Sequence, residues 1–191
     1  MSKKVGILGG TFDPPHIGHL IIADQILNLY KLDEVRFMPN YIPPHKEKLS
    51  KTTIEDRIKM LELSLKGHDR FKIETIELKY RGKSYTYNTM VMLKQQEPET
   101  DFYFIIGGDM IDYLPKWYKI EELVKLVQFI GVNRPMSEGK TIYPIQFVEI
   151  PSIYVSSSMI RDKIAKGESV KYLLTDEVIA YIEEHHLYGA E

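Results

Sequence analysis

No cysteine occurs among the 191 residues, which excludes disulfides and thiolate-bound zinc and fits a reducing compartment. An excess of either charge is missing too. Lys and Arg number 25 against 27 Asp and Glu, a formal net of −2, so there is no broad basic footprint for nucleic acid. No apolar run approaches the length that crosses a bilayer. The opening MSKKVGILGG passes straight into strand residues and leaves no room for a signal peptide. Repeats, low-complexity segments and linkers are likewise lacking. These absences predict a cytoplasmic globular protein, one domain over 1–191 with enough chain to bury a core, and no membrane or nucleic-acid partner. Tryptophan is the scarcest aromatic, with Trp117 alone. Burial habits make a lone Trp a core residue, but a proline-broken loop between two helical patterns shifts Trp117 toward an exposed role.

What is present centres on VGILGGTFDPPHIGH, residues 5–19. Val5, Ile7 and Leu8 suit a buried strand, and Gly9 and Gly10 end it with a sharp turn whose N–H groups stay open to phosphate. Pro14 and Pro15 stiffen the exit. The helical pattern HLIIADQILNLYK follows, with Leu20, Ala23, Ile26, Leu27 and Tyr30 on one side. His16 and His19, three apart, share a face at its start. Gly18 between them clears space for a ligand to reach the helix N-terminus, a seat for polyphosphate. Taken alone, the histidines could as well be solvated.

Glu34 to Met38 reads as a second strand, so a helix between two short strands predicts a βαβ unit and a parallel sheet. The polar stretch YIPPHKEKLSKT is a surface loop on the ligand side of such a sheet, where His45 and Lys46 either reach phosphate or form a solvated cluster. Thr53 to Asp56 is a capping box, Arg57 beyond it fits a surface salt bridge better than a phosphate contact, and Gly67 stops the helix. FKIETIEL predicts a third strand, and NTMVMLKQQ a helix ending before Pro98. Phe102 to Ile106 is a buried strand ended by Gly107-Gly108-Asp109, a second glycine turn at the same sheet edge. Asp109 is either a ribose or metal partner or the N-cap of the short helix MIDYL. KIEELVKLV is a helix, and QFIGVN and PIQFVEI are strands. Ser156 or Ser157 caps the helix MIRDKIAK, which Gly167 ends, and Ser156, Ser157 and Ser158 with Arg161 make a second anion-binding terminus. Thr175 caps a last helix, DEVIAYIEEHH, and His68, His185 and His186 read as surface residues.

Gly10-Thr11-Phe12-Asp13-Pro14-Pro15-His16-Ile17-Gly18-His19 resembles the nucleotidyltransferase signature Gly-Thr-Phe-x-P-x-H-x-G-H, which binds a nucleoside triphosphate. Ser156-Ser157-Ser158-Met159-Ile160-Arg161 resembles the second motif of the same superfamily. The tetrapeptide at 16–19 also equals the first signature of class I aminoacyl-tRNA synthetases, but the lysine-rich loop and anticodon domain of those enzymes are missing. From end to end the chain is similar to bacterial nicotinate mononucleotide adenylyltransferases. That likeness rests further on Pro39-Asn40, Pro43-Pro44-His45-Lys46, Ser84-Tyr85-Thr86, Ile106-Gly107-Gly108-Asp109 and Pro115-Lys116-Trp117-Tyr118.

The resemblance implies an α/β fold, a Rossmann-like doubly wound parallel sheet in three α/β/α layers with C-terminal helices. It implies transfer of AMP from ATP to nicotinate mononucleotide in NAD biosynthesis. The related acceptors phosphopantetheine and nicotinamide mononucleotide are the alternatives. His16, His19 and Arg161 then act on the phosphates. Gly9, Gly10, Thr11, Phe12, Gly107, Asp109, Arg134, Ser156, Ser157 and Ser158 lie along ATP. Asn40, Lys46, Thr86, Trp117 and Tyr118 hold nicotinate mononucleotide, with Trp117 stacked on the pyridine ring and the N–H groups of Thr86 and Tyr118 on its carboxylate. Mg²⁺ arrives on the ATP phosphates rather than on protein metal ligands, and a homodimer is compatible with the sequence.

Overall fold

The computed structural model describes residues 2–41, 52–79, 85–132, 141–151 and 153–190, the Asp109 side chain excepted. Six strands form one parallel sheet in the order β3-β2-β1-β4-β5-β6. They are β1 (Lys3–Gly10), β2 (Glu34–Pro39), β3 (Phe71–Ile73), β4 (Thr100–Gly107), β5 (Gln128–Val132) and β6 (Ile145–Val148). From β1 the chain winds outward to β3, then returns to the centre at β4 and winds the other way. The reversal falls between β1 and β4, which pair from Lys3↔Thr100 to Leu8↔Ile105. In open α/β sheets the crevice beyond the strand ends at such a reversal is where ligands bind.

Alternation along the central strands makes two apolar faces. Phe102, Phe104 and Ile106 point with Val5 and Ile7 to one side, where α4 (Thr86–Gln96) supplies Met90 and Leu93 and α6 (Ile120–Leu126) supplies Ile120 and Leu123. Tyr103 and Ile105 point with Leu8, Val35 and Phe37 to the other side. There α1 (Ile17–Leu29) brings Ala23, Ile26 and Leu27, and α2 (Ile54–Ser64) brings Leu61. A third cluster joins Ile160 and Ile164 of α7 (Ser157–Ala165) and Val178 and Ile182 of α8 (Asp176–Glu184) to Met60 of α2. The Rossmann-like three-layer sheet with added C-terminal helices is therefore the observed fold. Among the described residues no helix is long and apolar enough to cross a membrane.

Most predicted elements appear within a residue or two of their expected ends. The capping box at α2 forms, with Thr53 N–H donating to Asp56 Oδ2 at 3.0 Å and Asp56 N–H to Thr53 Oγ1 at 3.1 Å. Gly67 and Gly167 end their helices at φ of +85° and +68°. Two expectations fail. FKIETIEL is a strand only to Ile73, after which the helical turn α3 (Ile76–Lys79) takes over, because Glu74 Oε1 accepts the Ile76 N–H and caps it. The short helix α5 (Gly108–Ile111) starts two residues earlier than MIDYL, so its N-cap is Gly107 rather than Asp109.

Candidate active site

β1 and β4 both end in glycine at the reversal point. The turn after β1 departs from expectation. Gly9 and Gly10 keep strand geometry, and the left-handed residue is Phe12, at φ +51°. That conformation folds the Phe12 ring back over the strand end. A Cβ on Gly10 would stand 2.9 Å from Phe12 Cζ, whereas one on Gly9 meets nothing closer than Phe104 Cζ at 3.4 Å. Gly10 is glycine to admit the ring. Phe12 is 1% exposed and packs edge-on to His19 at 4.9 Å between ring centres, so its side chain belongs to the core.

Helix α1 begins one residue after His16. The His16 N–H donates to His19 Nδ1 at 3.2 Å, and the two rings stack at 3.7 Å. Because His19 Nδ1 accepts, the neutral ring carries its proton on Nε2. Gly18 makes room for an imidazole, since its Cβ would lie 3.1 Å from His16 Nδ1. The N–H groups of Ile17 and His19 are already given to Leu173 O and His16 O, both at 2.9 Å. Fewer donors of that turn face a ligand than the sequence suggested.

The segment from Thr11 to His16 has no regular structure, and donors from elsewhere fasten its carbonyls. Gly10 O, just before it, accepts the Asn40 N–H at 3.0 Å. Thr11 O accepts Arg57 Nη1 at 2.8 Å, Asp13 O accepts Arg161 Nη1 at 2.7 Å, and Pro14 O accepts Ser157 Oγ–H at 2.8 Å. These bonds fix the path of a segment that has no helix or strand of its own. Arg161 and Ser157 thus meet the first motif directly across nearly the whole chain. Arg161 also donates to Ser158 Oγ at 3.2 Å and keeps its remaining N–H donors. Ser156 is the α7 N-cap, its Oγ accepting the Met159 N–H at 3.2 Å.

His16, His19, Gly18, Gly107, Ser156 and Met159 line one cleft of about 370 Å³, which continues along Val132, Ile150, Pro151 and Tyr154. Its mixture of a few convergent donors with apolar walls is the composition of a nucleotide pocket.

Three of the residues expected at the acceptor, Thr86, Trp117 and Tyr118, gather separately, on the α4/α6 side of the sheet. Tyr118 is exposed and leans on Tyr85 and Tyr87 at 5.0 and 6.1 Å between ring centres, which brings the 115–118 turn to the N-terminus of α4, where Thr86 is the first residue. Orphan N–H groups and the helix dipole make that end favourable for a carboxylate. Trp117 is half-buried, edge-on to Phe104 at 5.9 Å and Phe129 at 6.2 Å, with its indole Nε1 buried and without a hydrogen-bond partner among the described residues. It is neither the free platform nor the full core residue that the sequence offered as alternatives. Asn40 follows the end of β2, with Oδ1 buried and without a hydrogen-bond partner among the described residues. Lys46 and Arg134, with His45 and Ser84, lie outside the described residues, as does the Asp109 side chain.

Sequence reasoning missed the buried floor under the loop. Arg57, read as a surface residue, is 3% exposed and ties the end of β1 to the end of β2 through Thr11 O and, at 2.9 Å, Asn40 O. Burial lowers its pKa, and the Asp13 charge works against that. Asp13 is itself 5% exposed, so its carboxylate faces inward, where Oδ1 accepts the Tyr188 hydroxyl at 2.6 Å. Burial and the Asp13 charge both raise the Tyr188 pKa. The available signal was an arginine in the first turns of a helix that follows a ligand-side loop. Nothing local marked Tyr188.

A family model described as cytidylyltransferase-like matches residues 7–163. A Geobacillus thermodenitrificans protein described as a "probable nicotinate-nucleotide adenylyltransferase" is 52% identical over 187 residues, covering 98% of this chain and 87% of that protein. A Bacillus licheniformis protein of the same description is 50% identical, covering 97% and 98%. Among solved structures, a Plasmodium falciparum nicotinic acid mononucleotide adenylyltransferase complexed with NaAD superposes with a TM-score of 0.84 at 24% identity. It covers 99% of this chain and 98% of its own, and at that identity it supports the fold.

Proposed function

The chain belongs to the cytidylyltransferase-like family, and from that premise we propose that it transfers the adenylyl group of ATP to nicotinate mononucleotide, giving nicotinate adenine dinucleotide and pyrophosphate. One observation carries the reading. Both histidines of the first motif and Ser156 of the second line a single cleft at the sheet's reversal point, in a chain half identical to enzymes of that description.

The reaction asks little covalent work of the protein. A 5′-phosphate oxygen of the acceptor attacks the α-phosphorus of ATP, the bond to the bridging oxygen breaks in line, and pyrophosphate departs. The attacking phosphate is ionised at neutral pH, so no general base and no enzyme-bound intermediate are needed. Positioning and charge stabilisation remain. In this reading His19 Nε2–H and His16 donate to the α- and β-phosphates. Arg161 and the serine terminus of α7 take the pyrophosphate, and Gly107 lets the nucleotide cross the sheet edge. Arg134 and the Asp109 carboxylate lie along it. On the far side the N–H groups of Thr86 and Tyr118 hold the carboxylate, Trp117 offers its exposed face to the pyridine ring, and Asn40 and Lys46 approach the acceptor phosphate.

Among the described residues no three His, Asp or Glu side chains stand together as a metal cage. In this reading Mg²⁺ would be held by phosphate oxygens and water, as that ion prefers. Bound so, it neutralises charge on the leaving pyrophosphate. Cytoplasmic placement, a single functional domain and assembly as a homodimer complete the proposal. Offering ATP with nicotinate mononucleotide, nicotinamide mononucleotide and phosphopantetheine in turn tests it. The acid nucleotide is expected to react best, and a preference for phosphopantetheine overturns the substrate assignment.

A further inference from the structure

We propose that Tyr188 is a positioning residue for adenylyl transfer: its hydroxyl, donating to Asp13 Oδ1, locks the irregular segment between the glycine corner and His16 into its phosphate-binding shape. The inference rests on the adenylyltransferase reading above.

The segment has no helix or strand to hold it, so its shape is set by tethers. Most of these grip backbone carbonyls, through Arg57, Arg161 and Ser157. The Asp13 side chain is the exception, since it is gripped through its carboxylate and by a residue 175 positions away. Buried as it is, that carboxylate is withheld from any substrate or ion in the cleft. Three residues later the chain presents His16, whose N–H orients His19. An error in Asp13 is therefore carried into both imidazoles.

Tyr188 is committed to this contact. Its backbone is left-handed, at φ +60° and ψ +17°, a conformation that a bulky residue adopts only when its surroundings demand it. The same hydroxyl is hydrogen-bonded to the Thr52 side chain and lies 3.9 Å from Met60 Sδ. One phenol thus joins the segment ahead of α2, the body of α2 and the phosphate loop.

The test compares steady-state kinetics and melting of the full chain with Tyr188→Phe, Asp13→Asn, Asp13→Ala and the Asp13→Ala/Tyr188→Phe double variant. Tyr188→Phe is expected to lower kcat about tenfold with the KM for nicotinate mononucleotide unchanged. Asp13→Asn, which keeps an acceptor oxygen, should lose less than Asp13→Ala. The double variant should be no slower than Asp13→Ala alone, because the two groups act through one bond. A lowered Tm with kcat within twofold of wild type makes Tyr188 a merely structural residue and overturns the inference, as do losses that multiply in the double variant. A wild-type chain that forms no dinucleotide overturns the reading above and this one with it. An active wild type with an indifferent Tyr188→Phe overturns this one alone.

Discussion

Replacing each of the two adjacent glycines at the end of β1 by alanine should have opposite outcomes. At Gly10 the added methyl would meet Phe12 Cζ, Cε1 and Cε2 at 2.9, 3.0 and 3.2 Å. Ordinary carbon contact lies near ~3.7 Å, so the ring must retreat by several tenths of an ångström. It has nowhere easy to go, because it is 1% exposed, with His19 at 4.9 Å and Phe37 at 5.8 Å between ring centres. Overpacking of this kind costs about 1–3 kcal/mol. For a chain of this size that is a fall in Tm of roughly 2–12 °C, at ~2–4 °C per kcal/mol. The retreat also pushes on His19, and catalytic groups misplaced by about an ångström can lose ~10²-fold in rate. Gly10→Ala should therefore fold, melt lower and lose kcat at least about tenfold. Gly9 is exposed and its added methyl would find Phe104 at 3.4 Å, so Gly9→Ala should melt within about 2 °C of wild type, the small effect usual for surface substitutions. Any loss in Gly9→Ala should appear in the KM for ATP. Melting curves and dinucleotide formation decide the matter. Two variants that melt alike, or a fully active Gly10→Ala, refute the argument.

Other perturbations follow from the same geometry. On the proposed role of His19 as a phosphate donor, His19→Ala should lower kcat by about 10²–10³ with little change in Tm, measured by pyrophosphate release. Trp117→Ala should raise the acceptor KM roughly ten- to hundredfold, since stacking on an aromatic is worth ~1–3 kcal/mol. It should also cost stability through the Phe104 and Phe129 contacts, so Trp117→Phe, which keeps part of both, should recover some of each. Arg36 binds Glu34 at 2.7 Å, Glu74 at 3.2 Å and Glu97 at 2.6 Å. Burial by itself would raise the Glu34 pKa, but hydrogen bonds and charge from Arg36 and Lys3 bring it below the usual 4.5, and Arg36 does the same for Glu97. Depressed carboxylate pKa values add stability above about pH 4.5, and it is lost as pH falls through the folded-state values. Wild-type Tm should drop on acidification through that range. Arg36→Met, whose clustered carboxylates repel until protonated, should show a shallower fall or a rise.

What could be read from the chain and what could not divide along a physical line. Val5 to Leu8, Phe102 to Ile106 and the helical pattern from Leu20 carry their structure in local periodicity, and the parallel order follows from their alternation with helices. Likewise Ser156 and the Thr53–Asp56 box are caps whose bonds span three residues. The failures involve contacts that periodicity does not encode. Glu74 ends β3 by a side-chain bond, and Phe12 takes the left-handed turn expected of glycine because its ring has a cavity to fill. Arg57 is buried because two carbonyls from other segments need a donor. At the site, motif residues could be named, but their division of labour could not. Ser157 and Arg161 bind the first motif's own backbone before any nucleotide arrives.

The tethers from Ser157, Arg161 and Tyr188 reach back 143, 148 and 175 residues. A nascent chain could assemble its central strands while still being made, yet the loop meant for ATP would stay unformed until the last helices had left the ribosome. Translation stopped between α6 and α7 would then release a polypeptide with its central strands but without the Ser157, Arg161 and Tyr188 tethers of that loop. The stretch from Ser157 to Tyr188, far from the first motif in sequence, becomes a sensitive place to silence it.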